Sequence, residues 1–272
     1  MLMSVYIKEK AEYFHECMES ILKQSLLPNE IVIVEDGPIT DDLSMEIEYY
    51  KQTIQIPIKV VPLHNNQGLG PALAEGIKHC KFSLVARMDT DDICMPKRFE
   101  KQIKEFENCP ELDIVGSYIL EFDGSVDNII SERKVPLFDK DIRKYQKRRG
   151  AFNHMTVMYR KEAVLQAGNY QDIPLMEDDD LWCRMFLNGC ISKNIGESLV
   201  YARTGRAMIE RRGGFSYFKK YQRGRKKILQ TGYITKWDFF VTSVVQFIVS
   251  MLPGKFRMLV FIKLLRTAKN KG

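Results

Sequence analysis

The chain predicts an α/β protein, a doubly wound and mostly parallel sheet with helices on both faces. Three observations carry this. Apolar runs of strand length alternate with helical spacing four times in under 100 residues. At 272 residues, 45% of them hydrophobic and 28% charged, the chain is long enough to bury a substantial core. Acidic and glycine turns follow the second, third and fourth runs, so they fall at one sheet edge, outside the carboxyl ends where ligands bind in such sheets.

Leu2 to Ile7 reads as the first strand. Phe14, Met18, Ile21 and Leu22 then recur at helical spacing and stop before Pro28. Ile31 to Val34 is a second strand, closing on Glu35-Asp36-Gly37-Pro38. Leu43, Ile47 and Tyr50 mark a helix, and Ile58 to Leu63 the third strand. The turn His64 to Pro71 follows, with Pro71 expected at the first position of a helix reaching about Cys80. Phe82 to Ala86 is the fourth strand. The second half is less regular. It is expected to hold a helix over Pro96 to Asn108, a strand over Leu112 to Phe122 and a hairpin turn at Asp123-Gly124-Ser125 into Val126 to Val135. Asp139 to Arg149 reads as a basic surface helix and Thr156 to Tyr159 as a strand. Glu177 to Asp180 crowd the start of a helix that ends at Leu187, with Gly189 as its C-cap.

The fourth strand ends in Arg87-Met88-Asp89-Thr90-Asp91-Asp92, three carboxylates within four residues. Carboxylates that close repel unless a cation neutralises them. Mg²⁺ and Mn²⁺ are hard ions held by one or two carboxylates plus substrate phosphates. Asp89 and Asp91 are therefore candidate ligands of a metal–diphosphate. In the alternative reading this is a capped turn, with Asp92 capping a helix that starts near Pro96.

Taken together, several motifs resemble glycosyltransferase family 2, the inverting enzymes of the GT-A fold. They are Ile31 to Gly37, Asn66-x-Gly68-Leu69-x-x-Ala72, Ala86-Arg87-x-Asp89-x-Asp91-Asp92 and Glu177-Asp178-x-x-Leu181-Trp182. Asn153-His154-x-Thr156-Val157-Met158 and Arg211-Arg212-Gly213-Gly214 bring the resemblance to a bacterial branch that builds capsule, exopolysaccharide and O-antigen repeat units. The resemblance implies a hexose moved from a UDP-sugar, UDP-glucose or UDP-galactose first, to a lipid-linked saccharide acceptor on a polyprenyl diphosphate. It implies that Asp36 holds the uridine base or ribose beside the Gly68 turn, with Arg87 in the same motif. Asp89 would contact ribose and metal, Asp91 would ligate Mn²⁺ or Mg²⁺, and Asp178, next to Glu177, would be the general base. Arg211 and Arg212 would add positive charge on the phosphates or face a membrane. His154 would line the acceptor side or serve as a structural histidine. Two departures stand out. The first strand runs into Lys8-Glu9-Lys10 where the family carries Pro-Thr/Val-Tyr-Asn, and Arg203-Thr204-Gly205 lacks the histidine of Arg-x-His.

This divides the chain into a catalytic domain, 1–205, and a tail, 206–272. Residues 1–95 form the nucleotide-sugar half and 96–205 the acceptor half. From Arg203 onward seventeen Lys and Arg face only Glu210 and Asp238, a balance of +15 against a chain total of +6, so the remainder carries −9. Phe239 to Leu252 is almost wholly apolar, is broken by Pro253-Gly254, and resumes at Phe256 to Leu265 with basic residues interleaved. Neither piece reaches the roughly 20 residues of a spanning helix. The pattern is that of helices lying on an anionic membrane surface; a hairpin belonging to the core is the alternative. Six scattered cysteines without C-x-x-C, and charges at Lys8, Glu9 and Lys10, predict reduced thiols and no signal peptide, hence the cytoplasmic side of the membrane. A sugar-nucleotide nucleotidyltransferase would open with a Gly-rich, Arg-containing loop, which Met3 to Phe14 lacks. A non-catalytic membrane adaptor would have no need of Asp91 and Asp178. A nucleic-acid partner is not expected, since no basic-aromatic recognition motif is present.

Overall fold

The computed structural model describes residues 1–204, 212–254, 256, 257 and 260. The first half alternates as the sequence reads: β1 (Leu2–Val5), α1 (Ala11–Leu22), β2 (Ile31–Glu35), α2 (Asp41–Thr53), β3 (Ile58–Pro62), α3 (Leu69–His79) and β4 (Leu84–Ala86). Strands β1, β2 and β3 are parallel neighbours in that order. Successive residues of a strand point to opposite faces, and the core divides accordingly. Met3, Val5, Ile31 and Ile33 pack on Phe14, Met18 and Ile21 of α1 and Leu43 and Ile47 of α2. Leu2, Val32 and Val34 pack on Leu73 and Ile77 of α3 from the other side. Helices on both faces follow from strands apolar on both faces.

The expectation of a mostly parallel sheet holds for this half and fails beyond it. The remaining elements are β5 (Ile93–Cys94), α4 (Arg98–Asn108), β6 (Leu112–Phe122), β7 (Ile129–Arg133), α5 (Asp139–Gln146), a 3₁₀ turn at His154–Thr156, β8 (Met158–Arg160), α6 (Lys161–Gln166), α7 (Glu177–Leu187) and β9 (Ile191–Arg203). They build a mixed sheet in the order β4-β8-β6-β9-β5, with β7 on β6. Only β6 and β9 run parallel there; the β4–β8, β8–β6, β6–β7 and β5–β9 pairs are antiparallel. Chain length explains part of this: a parallel neighbour needs a crossover of a dozen residues or more, and the tight turn after Phe122 allows only a hairpin. The two sheets meet where Leu2 bridges Arg87 in parallel, so β4 continues the sheet beside β1.

Boundaries differ where local chemistry overrides periodicity. Pro71 is third in α3, because Gly68 takes the N-cap with φ of 93°, a left-handed conformation that glycine adopts without penalty. Helix α4 begins at Arg98, and its N-cap, Lys97, makes no side-chain capping bond. The basic helix closes one turn early, at Gln146. All six cysteines are free thiols.

Two further helices follow, α8 (Gly214–Gln230) and α9 (Lys236–Met251). Ile228 and Ile234 pack with Ile173, Met176 and Cys183 beside α7. Arg225 donates to the Lys147 carbonyl at 2.8 Å, and Arg148 pairs with Asp238 at 2.8 Å, so both helices are tied to the body. Thr235 and Asp238 form a capping box that fixes the start of α9. Among the described residues no helix is long and apolar enough to cross a membrane.

Helix α3 lies so close to the sheet that a Cβ on Gly76 would come within 2.5 Å of Leu2 Cδ1 and 2.6 Å of Val34 Cγ2. Helix propensity alone favours Gly76→Ala by about 1 kcal/mol. The clash, typically worth about 1–3 kcal/mol in a packed core, should outweigh it, and a denaturant melt of Gly76→Ala should show a net loss. A more stable variant would mean that α3 shifts freely.

Candidate active site

Strand β4 delivers Arg87 and Asp89 to the carboxyl edge of the sheet, and a second arginine holds that strand end in place. Arg98 is fully buried; it donates to the Arg87 carbonyl at 2.6 Å, and its Nε bonds Gln102 at 3.1 Å. The Arg87 side chain, 1% exposed, turns back to pair with the Asp89 carboxylate. Burial works against the Arg87 charge, and the neighbouring Asp89 carboxylate more than restores it. Asp89, Asp91 and Asp92 present oxygens that lie within 4.8 Å of one another. Burial first, then Asp89 and Glu9, push the Asp91 carboxyl up to about 7. Burial followed by the two neighbouring carboxylates pushes Asp92 up as well. All three are hard oxygen donors in mutual repulsion, which is a donor set suited to Mg²⁺ or Mn²⁺.

Asp92 does not cap a helix. Its Oδ1 accepts the Arg203 backbone N–H at 2.7 Å, and the Arg203 Nε donates to the Asp91 carbonyl at 2.9 Å. The Arg203 guanidinium also pairs with Glu16 and lies over the rings of Tyr13 and Phe122 at 4.0 and 4.7 Å. The residue that ends β9 thus locks the Asp91-Asp92 turn onto α1.

Two cavities open at this edge and share Leu69 and Asp89. The first, about 530 Å³, is lined by Tyr6, Glu9, Tyr13, Asp36, Gly68 and Asp91 among others. Sequence reasoning missed its aromatic residues. Strand β1 stops at Val5, and Tyr6 and Tyr13 line the cavity together with Lys8, Glu9 and Lys10, the residues that depart from the family pattern. Asp36 is buried, and its carboxylate is engaged: Oδ1 accepts the Gln67 N–H at 2.6 Å and Oδ2 the Gly68 N–H at 2.9 Å. It faces this cavity while holding the glycine turn.

The second cavity, about 590 Å³, is lined by Arg87, Asp89, His154, Glu177, Asp178, Arg212 and a side of α8. Helix α7 splits its four acids between two duties. Asp179 accepts from Gln146 at 2.6 Å and Asp180 pairs with Arg184 at 2.7 Å, so these two are structural. Glu177 and Asp178 line the cavity. Asp178 is pushed well above the usual carboxylate range, first by burial and then by Asp179 and Glu177; burial also raises Glu177. The starts of α3 and α7 meet, since a Cβ on Gly70 would lie 2.4 Å from the Gln171 carbonyl and 3.0 Å from Glu177 Cβ. His154 Nε2 hydrogen-bonds the Tyr170 hydroxyl at 3.0 Å, and the ring packs edge-on to Trp182. Burial and the Arg87 charge push it well below the usual histidine range, so it is a neutral wall of the cavity rather than a cation. Leu175, in a left-handed conformation with φ of 72°, lines the same cavity. Arg211, the remaining candidate, lies outside the described residues.

The family model for Glycosyl transferase family 2 matches residues 2–166. The amylovoran biosynthesis glycosyltransferase AmsE of Erwinia amylovora is 38% identical over 244 residues, 89% of this chain and 90% of its own length. A UDP-Gal:alpha-D-GlcNAc-diphosphoundecaprenol beta-1,3-galactosyltransferase of Escherichia coli is 32% identical over 266 residues, 98% of this chain and 96% of its own. The mannosyltransferase PcManGT from Pyrobaculum calidifontis, solved in complex with GDP-Man and Mn²⁺, is similar in fold, with a TM-score of 0.63 at 13% identity over 97% of this chain and 81% of that one. With a GT-A-like sheet, an acidic cluster at its carboxyl edge and a matching family model, the chain belongs to glycosyltransferase family 2 and is a glycosyltransferase.

Proposed function

We propose that the chain transfers a hexose, with inversion, from a UDP-sugar to a hydroxyl of a saccharide carried on a polyprenyl diphosphate, in the synthesis of a bacterial surface polysaccharide. One observation carries this reading. Asp89 lies between the two cavities, with Asp91 lining the first and Asp178 the second. The names of the Erwinia amylovora and Escherichia coli relatives support the pathway and the lipid-linked acceptor.

In this reading the first cavity takes the nucleotide, with Asp36 toward base and ribose and the Gly68 turn beside it. Asp89 and Asp91 would hold Mn²⁺ or Mg²⁺, a Lewis acid that offsets charge on the leaving diphosphate. The acceptor hydroxyl enters the second cavity and attacks the anomeric carbon. Asp178 takes its proton as the new carbon–oxygen bond forms, the bond to the diphosphate breaks, and UDP departs. A carboxylate whose pKa burial has raised is a stronger base than an exposed one. Glu177 sustains that shift, Arg87 holds Asp89 in place, and neutral His154 walls the acceptor side.

The tail fits work at an anionic membrane. Along α9, Trp237, Phe240, Val244, Ile248 and Met251 are all more than 40% exposed, at three- and four-residue intervals that place them on one face. Lys219, Arg223, Lys226 and Lys227 on α8 supply positive charge nearby.

Asp178→Asn should lower turnover by roughly 10²–10⁴-fold and leave UDP affinity in calorimetry unchanged; if Glu177→Gln proves the more damaging change, the base is assigned to the wrong carboxylate. The same variant should gain stability over wild type as pH rises. A carboxyl with a raised folded-state pKa contributes most below the ordinary carboxylate range, and that contribution is lost as pH climbs through the raised value. Melts at pH 5 and pH 8 measure the difference.

Asp91→Asn should abolish Mn²⁺-dependent UDP binding and transfer. Undiminished UDP affinity with Mn²⁺ present would remove Asp91 from the metal site.

Replacing Trp237, Phe240 and Ile248 together by serine should weaken binding to anionic vesicles by roughly tenfold or more, without changing UDP-sugar hydrolysis in solution. High salt should weaken but not abolish attachment of the unmodified chain. Equal vesicle binding by the triple variant would show that this face does not meet the membrane.

A further inference from the structure

The second cavity is acidic on one side and basic on the other. Asp178 and Glu177 line it from α7. Across from them Arg212, Gly213, Ser216, Tyr217 and Lys220 line it from the start of α8. Ser216 and Lys220, four residues apart on α8, share one face of the helix, and Arg212 lines the same cavity from the turn just before the N-cap, Gly213. Arg212 and Lys220 are exposed to the cavity rather than folded into the core. A third cation stands behind them. A Cβ on Gly213 would overlap the Arg257 guanidinium, at 1.7–2.1 Å, so only a residue without a side chain leaves that guanidinium its place beside the helix start. The charge of Arg212 also acts on the Tyr217 hydroxyl, which faces the same space.

Cations and hydroxyls gathered opposite a candidate base, on a helix that contributes nothing to the nucleotide cavity, are chemistry for an anion carried by the acceptor. We propose that Arg212, Ser216 and Lys220 form a subsite for the diphosphate ester of the acceptor, distinct from the site of the donor's diphosphate. The inference rests on the acceptor reading given above. The sugar that receives the new bond lies at Asp178, its diphosphate lies one ring away against α8, and the lipid continues past the aromatic side of that helix. There Phe218 packs edge-on to Phe247 of α9 at 5.2 Å. Ammonium and guanidinium groups bind phosphate oxygens through charge-assisted hydrogen bonds, and the Ser216 hydroxyl adds a neutral donor.

The test is a calorimetric titration of farnesyl diphosphate into the full chain already saturated with UDP and Mn²⁺, so that the donor site is closed to the probe. The unmodified chain should bind one equivalent. Lys220→Ala should weaken that binding by roughly tenfold or more, while UDP affinity and the binding of farnesol, which has no phosphate, stay the same. Lys226→Ala, an equal loss of charge on α8 away from the cavity, should have little effect. The proposal falls if Lys220→Ala weakens UDP equally, because the cations would then serve the donor. It falls as well if Lys226→Ala has the same effect, or if farnesol binds as tightly as its diphosphate. Asp178→Asn should leave this titration unchanged, so a chain that binds farnesyl diphosphate yet transfers no sugar counts against the transfer reading alone.

Discussion

Carboxylates packed within a few ångströms at the edge of a sheet are the constraint around which this molecule is arranged. Two charges about 4–5 Å apart repel by about 3–4 kcal/mol at an effective dielectric of about 20. A few such pairs equal the whole net stability of a typical domain, about 5–15 kcal/mol. The cluster of Asp89, Asp91 and Asp92 therefore needs counter-charge from the fold itself. Three arginines, two close by in sequence and one from the end of β9, hold it together. Arg87 pairs with Asp89, Arg98 fixes the backbone beneath Arg87, and Arg203 ties the Asp91-Asp92 turn to α1. Asp91 and Asp92 stay raised, by burial first and then by the neighbouring carboxylates. Under the proposed metal assignment, a divalent cation would relieve the repulsion that remains.

The same division of labour recurs on α7. Four consecutive acids crowd one helix start, where the helix dipole favours negative charge. Asp179 and Asp180 are taken up by Gln146 and Arg184, which anchors the helix. That anchoring leaves Glu177 and Asp178 held toward the cavity in surroundings that resist ionisation. Gly70, pressed against Gln171 and Glu177, then fixes the acids of the second cavity relative to the turn that Asp36 holds. The spacing between the two cavities thus depends on one close helix-to-helix approach.

What could be read from the sequence, and what could not, follows from the range of the interactions. The first four strands were legible because residues apolar on both faces leave little alternative to a doubly wound sheet, and Asp36, Asp89, Asp91 and Asp178 stood out because acids after apolar strands or at a helix start are local patterns. In the antiparallel half the hairpin after Phe122 was legible from its Asp-Gly turn, but the long-range pairings were not: β5 is two residues long, and its pairing with β9 joins Ile93 to Tyr201 across more than a hundred residues. Tyr6 and Tyr13 escaped notice because an aromatic lining a cavity looks the same in sequence as one in a core. The capping alternative for Asp92 could not be dismissed from sequence, because its partner, the Arg203 N–H, is far away in the chain. Lys220 was visible only as one cation among seventeen, until the helix placed it at spacing four from Ser216.

Helix α8 reconciles the charge asymmetry of the chain with its chemistry. A body of −9 is repelled by an anionic surface, and a tail of +15 is drawn to one. Under the proposed membrane assignment this dipole orients the molecule before any contact forms, with the tail leading. The helix that carries much of that charge also lines the second cavity, while its aromatic side, at Phe215 and Phe218, packs toward Phe247 of the exposed apolar helix. One element therefore lines the second cavity with its cations and packs its rings toward α9. Under the proposed function, a lipid-linked substrate held there would meet the base without leaving the interface, and the search for it would be confined to a layer in which its local concentration is high.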